Sequence, residues 1–266
     1  MELLGYIASV LMGLSLGLIG GGGSILTVPI LVYLFHVDPV LATAYSLFVV
    51  GTTALVGGLL AFRLGHVDWK TGVLFAGPSF IGVYLTRAFL VPALPDPVFQ
   101  AGSWVFSKAL LMMLIFALLM VAASISMIRA GGQAPQKATL SSSARIFLIT
   151  IEGLLVGAMT GFVGAGGGFL IIPALVVLVG MPMRTAVGTS LLIIATKSLL
   201  GFVGDLQNQI PIQWDLLLSM AGIAIVGLFF GMRLSKHVPE KTLKRGFGFF
   251  VLVMGLIILM DQMRKF

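Results

Sequence analysis

The sequence predicts an all-α polytopic membrane protein built from two inverted-topology repeats. It carries about 8–10 transmembrane or half-spanning segments, with glycine-rich hairpin tips near the membrane midplane. Three observations carry this reading. The 266 residues are 59% hydrophobic and 9% charged, with a mean hydropathy of +1.13, whereas a soluble domain carries roughly 25% charged residues. A glycine run followed by proline occurs twice, at Gly17–Pro29 and Gly161–Pro173, an offset of 144 (161 − 17). Basic loops in one half match basic-poor loops in the other, the mark of an inverted copy.

The repeat extends well beyond the glycines. At offset 144, Gly20 falls on Gly164, Gly22 on Gly166, Gly23 on Gly167 and Leu26 on Leu170. Ala42 falls on Ala186, Ser46 on Ser190, Leu47 on Leu191, Thr52 on Thr196 and Gly57 on Gly201. At offset 145, Trp69 meets Trp214 and Gly82 meets Gly227. Gly13 and Gly17 repeat as Gly157 and Gly161, a spacing that favours close helix packing. The units are residues 1–128 and 146–266, divided by a linker at 129–145 that contains Gly131, Gly132, Pro135 and Ser141–Ser143.

Composition excludes several classes. A net charge of +7 invites a nucleic-acid partner, but the basic residues sit in short loops between apolar runs, where membrane topology places them. There is no cysteine, so disulfides, thiolate metal sites and cysteine nucleophiles are out. The start, Met1-Glu2-Leu3, lacks the basic n-region of a cleaved signal peptide, and the first apolar run is expected to stay in the bilayer.

Apolar runs read in order are Leu3–Ile19, Ser24–Phe35, Val40–Phe62, Thr71–Val91, Ser107–Ile128, Ile146–Val163, Phe169–Val179, Thr185–Gly204, Leu216–Met232 and Gly246–Met260. The second and seventh are too short to span and read as re-entrant or broken helices, each glycine run being a hairpin tip. Residues 91–106, with Pro92, Pro95 and Pro97, read as a structured loop. The loop with Arg233, Lys236, Lys241, Lys244 and Arg245 is assigned to the cytoplasm, as is the linker with Arg129, Lys137 and Arg145. The Asp205–Asp215 loop has no Lys or Arg and is assigned outside. Its counterpart holds Arg63 and Lys70, while the counterpart of the five-charge loop keeps only Arg87. Both termini are then expected in the periplasm.

Inverted repeats permit two related conformations, one open to each side, about one central site. Glycine lets backbone approach a ligand closely, and a helix starting after each run would aim free N–H groups at an anion. The short helix could start at Ser24 with a kink or at Pro29. No Lys follows either run, so neither is a phosphate-binding P-loop.

At these residues the sequence resembles the TauE/SafE sulfite exporter family, also called the 4-toluene sulfonate uptake permease family. The likeness rests on the duplicated Gly20–Pro29 and Gly164–Pro173 motif, the Ala42–Leu47 and Ala186–Leu191 pair, and the repeated tryptophan. It implies a secondary transporter of a small sulfur-containing anion, such as sulfite or an organosulfonate, in a bacterial inner membrane, with export preferred over import.

The candidate substrate site comprises Gly21, Gly22, Gly23, Ser24 and Ser46 from the first repeat and Gly166, Gly167, Gly168, Ser190 and Lys197 from the second. An ionisable residue inside a span is costly and marks function. Lys197 lies midway along its segment, opposite neutral Thr53, where a cation suits an anion; its alternatives are snorkelling or a carboxylate partner. Glu152, opposite Ala8, is the candidate for proton coupling, or else neutralises Lys197 or Arg145. Arg87 closes a span on the outer side, as an outer-vestibule cation or a snorkelling anchor. The hydroxyls of Ser24, Ser46, Thr52, Ser190 and Thr196 either donate to anion oxygens or bond back to their own helices. Gln207, Asn208 and Gln209 read as polar loop. His36, His66 and His237 lack a second ligand at metal spacing, so no metal and no cofactor are expected.

The expected partners are the sulfur oxyanion, a coupled proton and the lipid bilayer; a homodimer is compatible. An enzyme or a membrane-embedded accessory subunit remain the alternatives. The missing metal constellation and Ser–His pair weigh against the first, and the duplicated architecture against the second.

Overall fold

The computed structural model describes residues 2–101, 104–129, 142–177, 179–235 and 239–264. Residues 130–141 of the linker, with Lys137, and residues 236–238, with Lys236 and His237, lie outside the described residues.

Helix α1 (Glu2–Ile19) exposes Leu3, Ile7 and Leu11, one helical turn apart, and fully buries Met12 and Leu16 on the opposite side. That is the division expected of a helix between lipid and bundle. A 3-10 stretch (Gly20–Leu26), the single turn α2 (Thr27–Pro29) and a π stretch (Ile30–Leu34) follow without a gap. Drawn straight, the 33 residues from Glu2 to Leu34 would measure about 50 Å. Instead the rings of Tyr6 and Phe35 lie 5.2 Å apart, so the chain has turned back on itself. The reversal is at Gly20, whose φ of 72° only glycine adopts freely. The second apolar run is therefore the returning leg of a hairpin.

Helix α3 (Pro39–Arg63) starts where Asp38 accepts the amides of Val40 and Leu41 at 2.8 and 3.3 Å, with proline at the first position. Next come α4 (Trp69–Leu85), capped by Asp68, a π stretch (Thr86–Leu90) and the short α5 (Val91–Ala93). The proline-rich connection folds into a two-stranded antiparallel ribbon, β1 (Phe99–Ala101) with β2 (Trp104–Phe106). It is the small departure from an all-α fold. The chain continues as α6 (Lys108–Arg129), α7 (Ser142–Val163), α8 (Gly168–Val177), α9 (Met183–Gln207), α10 (Trp214–Leu234) and α11 (Glu240–Met263). Among the described residues, seven helical runs are long and apolar enough to cross a membrane, and Gly248–Met263 is a shorter apolar helix.

The element bounds repeat with the sequence. α3 and α9 begin and end 144 residues apart (183 − 39, 207 − 63), and α4 and α10 begin 145 apart (214 − 69). The close approaches repeat as well. A Cβ on Gly13 would meet the backbone of Ala224, and one on Gly157 that of Ser79; one on Gly227 would meet Val10, and one on Gly82 would meet Leu154. Thus α1 packs on α10 as α7 packs on α4, each helix of one half against a helix of the other. The glycines along these seams let backbones touch, the usual device where lipid gives no hydrophobic drive for association. α3 and α9 pair with each other and run antiparallel: Gly51 packs on Leu199, Gly58 on Leu192 and Gly188 near Ala61. Residue numbers rise on one helix as they fall on the other. One boundary differs from the sequence reading. Asp205, expected to open an outer loop, lies in the last turns of α9, 5% exposed, because a charge partner awaits it there.

Candidate functional site

The two glycine tips meet level with the middles of α3 and α9. A Cβ on Gly21 would strike the Cα of Gly168 and the side chain of Ile194; one on Gly168 would strike Gly21, and one on Gly166 would press on Val50 and Ser24. The Ser24 hydroxyl faces the carbonyls of Gly21 and Ala165, its hydrogen bonds tying the first tip to the second. Every glycine of the predicted site that these contacts involve is buried.

The tips differ in backbone. The first turns at Gly20 and resumes at once in 3-10 turns over Gly20–Leu26, with α2 beginning at Thr27 rather than at Ser24 or Pro29. The second breaks out of helix between Val163 and Gly168, with φ of 76°, 63° and 67° at Gly164, Gly166 and Gly167. Helix α8 then starts anew at Gly168, with the amides of Leu170 and Ile171 both bonding to the Gly167 carbonyl. Of the two converging helix starts expected, that of α8 is α-helical from Gly168 and the other is a 3-10 stretch.

Lys197 stands beside that terminus. It is 0% exposed, its Nζ donates to Thr160 Oγ1 at 2.7 Å, and a Cβ on Gly167 would lie 2.7 Å from Nζ. Among the described residues it forms no ion pair, so Glu152 does not neutralise it. A lysine with one neutral hydroxyl as its acceptor keeps further N–H donors in hand. It lies beside the N-terminal end of α8, the end of a helix whose partial charge is positive.

The other candidates divide between the two tips. Ser46 lies on the face of α3 whose Thr43 and Val50 press on Gly164 and Gly166; its Oγ is buried without a hydrogen-bond partner. Ser190 serves the first tip, 3.3 Å from where a Cβ of Gly20 would be, and bonds back to Val187. It shares a face of α9 with Lys197, two turns away, but each addresses a different tip. Thr52 and Thr196 bond back to Phe48 and Leu192, and Thr196 is exposed on the outside of the bundle. Glu152 is half-buried on α7, and among the described residues it forms no ion pair. Thr160 was missed by sequence reading. Its signal is a hydroxyl where the first repeat has Leu16 (160 − 144).

Arg87 requires correction. Sequence reading placed it at the outer end of a span, as an anchor or vestibule cation. It is 1% exposed, within the π stretch, with Nη1 3.4 Å from Asp205 Oδ1. A buried guanidinium needs a counter-charge, and Gly204 supplies the room: a Cβ there would come within 3.1 Å of the Arg87 Cβ.

A model of the family described as sulfite exporter TauE/SafE matches residues 5–258. A probable membrane transporter protein of Xylella fastidiosa (strain 9a5c) is 32% identical over 253 residues, covering 94% of this chain and 91% of the relative. The probable membrane transporter protein YdhB of Bacillus subtilis (strain 168) is 26% identical, covering 94% and 96%. No solved structure matches the chain. On a match that runs over nearly its whole length, the chain belongs to the TauE/SafE sulfite exporter family of membrane transporters.

Proposed function

We propose that the protein is a secondary transporter that exports a small sulfur-containing anion, sulfite or an organosulfonate, across the bacterial inner membrane by alternating access. The observation that carries this reading is Lys197, fully buried and without a carboxylate partner at the start of α8. A buried unpaired cation is expensive, and an anion that docks there removes the cost. The antiparallel pairing of α3 with α9 supports an inverted repeat, and with it a site reachable in turn from each side. The family description favours a sulfur oxyanion and export.

Counterflow in liposomes tests the function. Sulfite, sulfate, taurine, sulfoacetate and thiosulfate are offered in turn, and exchange of sulfite or sulfoacetate but not sulfate is expected. Catalytic turnover without exchange points to an enzyme, and neither activity points to an accessory subunit. Both termini are placed in the periplasm, with residues 129–145 and 233–245 in the cytoplasm. Labelling of Glu240→Cys in this cysteine-free chain by an impermeant outside reagent would overturn that orientation.

A further inference from the structure

The seam that holds Lys197 continues past it toward one end of the molecule. α4, α7 and α9 run parallel there. Gly157 packs on Ser79 and Gly161 on Val83, while Gly201 also packs on Val83 and Gly204 on Arg87. Asp205 lies eight residues beyond Lys197 (205 − 197), about 12 Å along α9.

Buried side-chain polar atoms without a hydrogen-bond partner gather on these helices. They are the hydroxyls of Ser79 and Ser198, Nε and Nη2 of Arg87, and Oδ2 of Asp205. Such groups are rare in native proteins because each forfeits its hydration. Packing does not require them. At offsets of 145 and 144, the equivalent seam of α10, α1 and α3 has Ala224 for Ser79 and Ala54 for Ser198. It has Met232 for Arg87 and Ala61 for Asp205. The packing glycines are common to both seams, Gly17 with Gly161 and Gly57 with Gly201. At these four positions one seam is polar and its counterpart apolar, on the same helical frame.

Arg87 is the focus of this polarity. Its contact with Asp205 is one long bond through Nη1, at 3.4 Å. The Nε–Nη2 edge, the fork that fits two oxygens of one anion, is buried and meets no acceptor among the described residues. It sits in a π stretch, a distortion that recurs at functional sites.

We propose that Arg87 is a second oxyanion station, on the route between Lys197 and one face of the membrane, and that Asp205 holds it shut until the anion displaces the carboxylate. The occupant follows from the transport reading above: a small anion with at least two terminal oxygens, as in sulfite or a sulfonate head group. The Ser79 and Ser198 hydroxyls offer further donors level with Lys197. On the equivalent seam no second station exists, so the route is charged toward one face only.

Melting of the purified full-length protein, with sulfite compared against chloride at equal ionic strength, tests the station apart from transport. Asp205→Asn is introduced into Lys197→Met protein, so that the first cation is silent. Sulfite is expected to raise the melting temperature of this double variant, and the rise should vanish when Arg87→Met is added. A double variant that sulfite stabilises no more than chloride does would overturn the station. Counterflow supplies the second measurement. Arg87→Met/Asp205→Asn, with Lys197 intact, should exchange anion at least tenfold more slowly than wild type although its charge balance is kept; a wild-type rate would mean that the pair is structural only. Wild-type protein that moves neither sulfite nor sulfoacetate would remove the transport reading, while the melting curves would still decide the station.

Discussion

The two glycine tips share their sequence pattern and part company in their backbones. The first carries one left-handed glycine, Gly20, and continues as a helix. The second carries three, at Gly164, Gly166 and Gly167, and breaks the chain so that α8 begins afresh. Around the first tip the places corresponding to Lys197 and Thr160 hold Thr53 and Leu16. A duplicated unit has thus kept its packing in both copies and placed a fresh helix start and a buried lysine in one. A single anion bound between two pseudo-equivalent halves needs only one such pole.

The sharpest way to break this comparison is a side chain at each tip. Gly167→Leu forces a left-handed residue to carry a Cβ, at about 1–2 kcal/mol, and drives that Cβ into Thr160 and Lys197. Transport and sulfite binding are expected to fall below detection while the protein remains folded in the membrane, since the atoms met there belong to the side chains of Thr160 and Lys197 and not to backbone. Gly23→Leu meets the backbone of Leu16, which cannot retreat, and is expected to lower the melting temperature and the yield of folded protein. Loss of binding at a well-folded first tip, or of folding at the second, would reverse the assignment.

Charge gives the next largest difference. Lys197→Met is expected to weaken the affinity for the transported anion at least tenfold, about 1.4 kcal/mol, and Lys197→Arg to retain part of it. Thr53, whose hydroxyl bonds back to Val49 at 2.7 Å, offers nothing to a ligand, so Thr53→Val should leave affinity within about twofold of wild type. Isothermal titration of the detergent-solubilised protein separates the two. Equal losses at both positions would mean that the halves share the site evenly.

Sequence periodicity made the frame of this comparison legible. A glycine run repeated at a fixed offset announces two copies, and the apolar run Val40–Phe62 announces α3 to within a residue at each end. The divergence of the tips was hidden, because glycine permits either sign of φ and only tertiary contacts choose between them. Lys197 was legible because a charge in an apolar run has few explanations. Arg87 was misread for the opposite reason. Its burial depends on Asp205, 118 residues away (205 − 87), and on the space that Gly204 leaves; nothing local records either.

A smaller effect tests whether Lys197 is positioned or merely present. Thr160 Oγ1 accepts from Nζ at 2.7 Å, on the helix that leads into the second tip. Thr160→Val keeps the shape and removes the acceptor, at roughly 0.5–1.5 kcal/mol for one hydrogen bond. A loss of affinity of about three- to tenfold is expected, with none in a Lys197→Met background. Additive losses in a double-mutant cycle would show that Thr160 acts independently of Lys197.

Glu152 should produce the smallest change in exchange itself. Ala8 occupies its place in the first repeat, so it belongs with the other charges that distinguish the second half. It is half-buried on α7, without an ion pair among the described residues, and just over two helical turns before Thr160. It does not pair with Lys197, so removing its charge should leave anion binding near the wild-type value. If Glu152 carries a coupled proton, Glu152→Gln keeps anion-for-anion exchange and loses the acceleration that a pH gradient gives to net flux. Sulfite titrates near neutrality and would carry protons of its own, so the measurement uses sulfoacetate, whose sulfonate does not, at a pH where its carboxylate stays ionised. A gradient response equal to wild type would remove Glu152 from coupling and leave the charge asymmetry of the two halves to the anion alone.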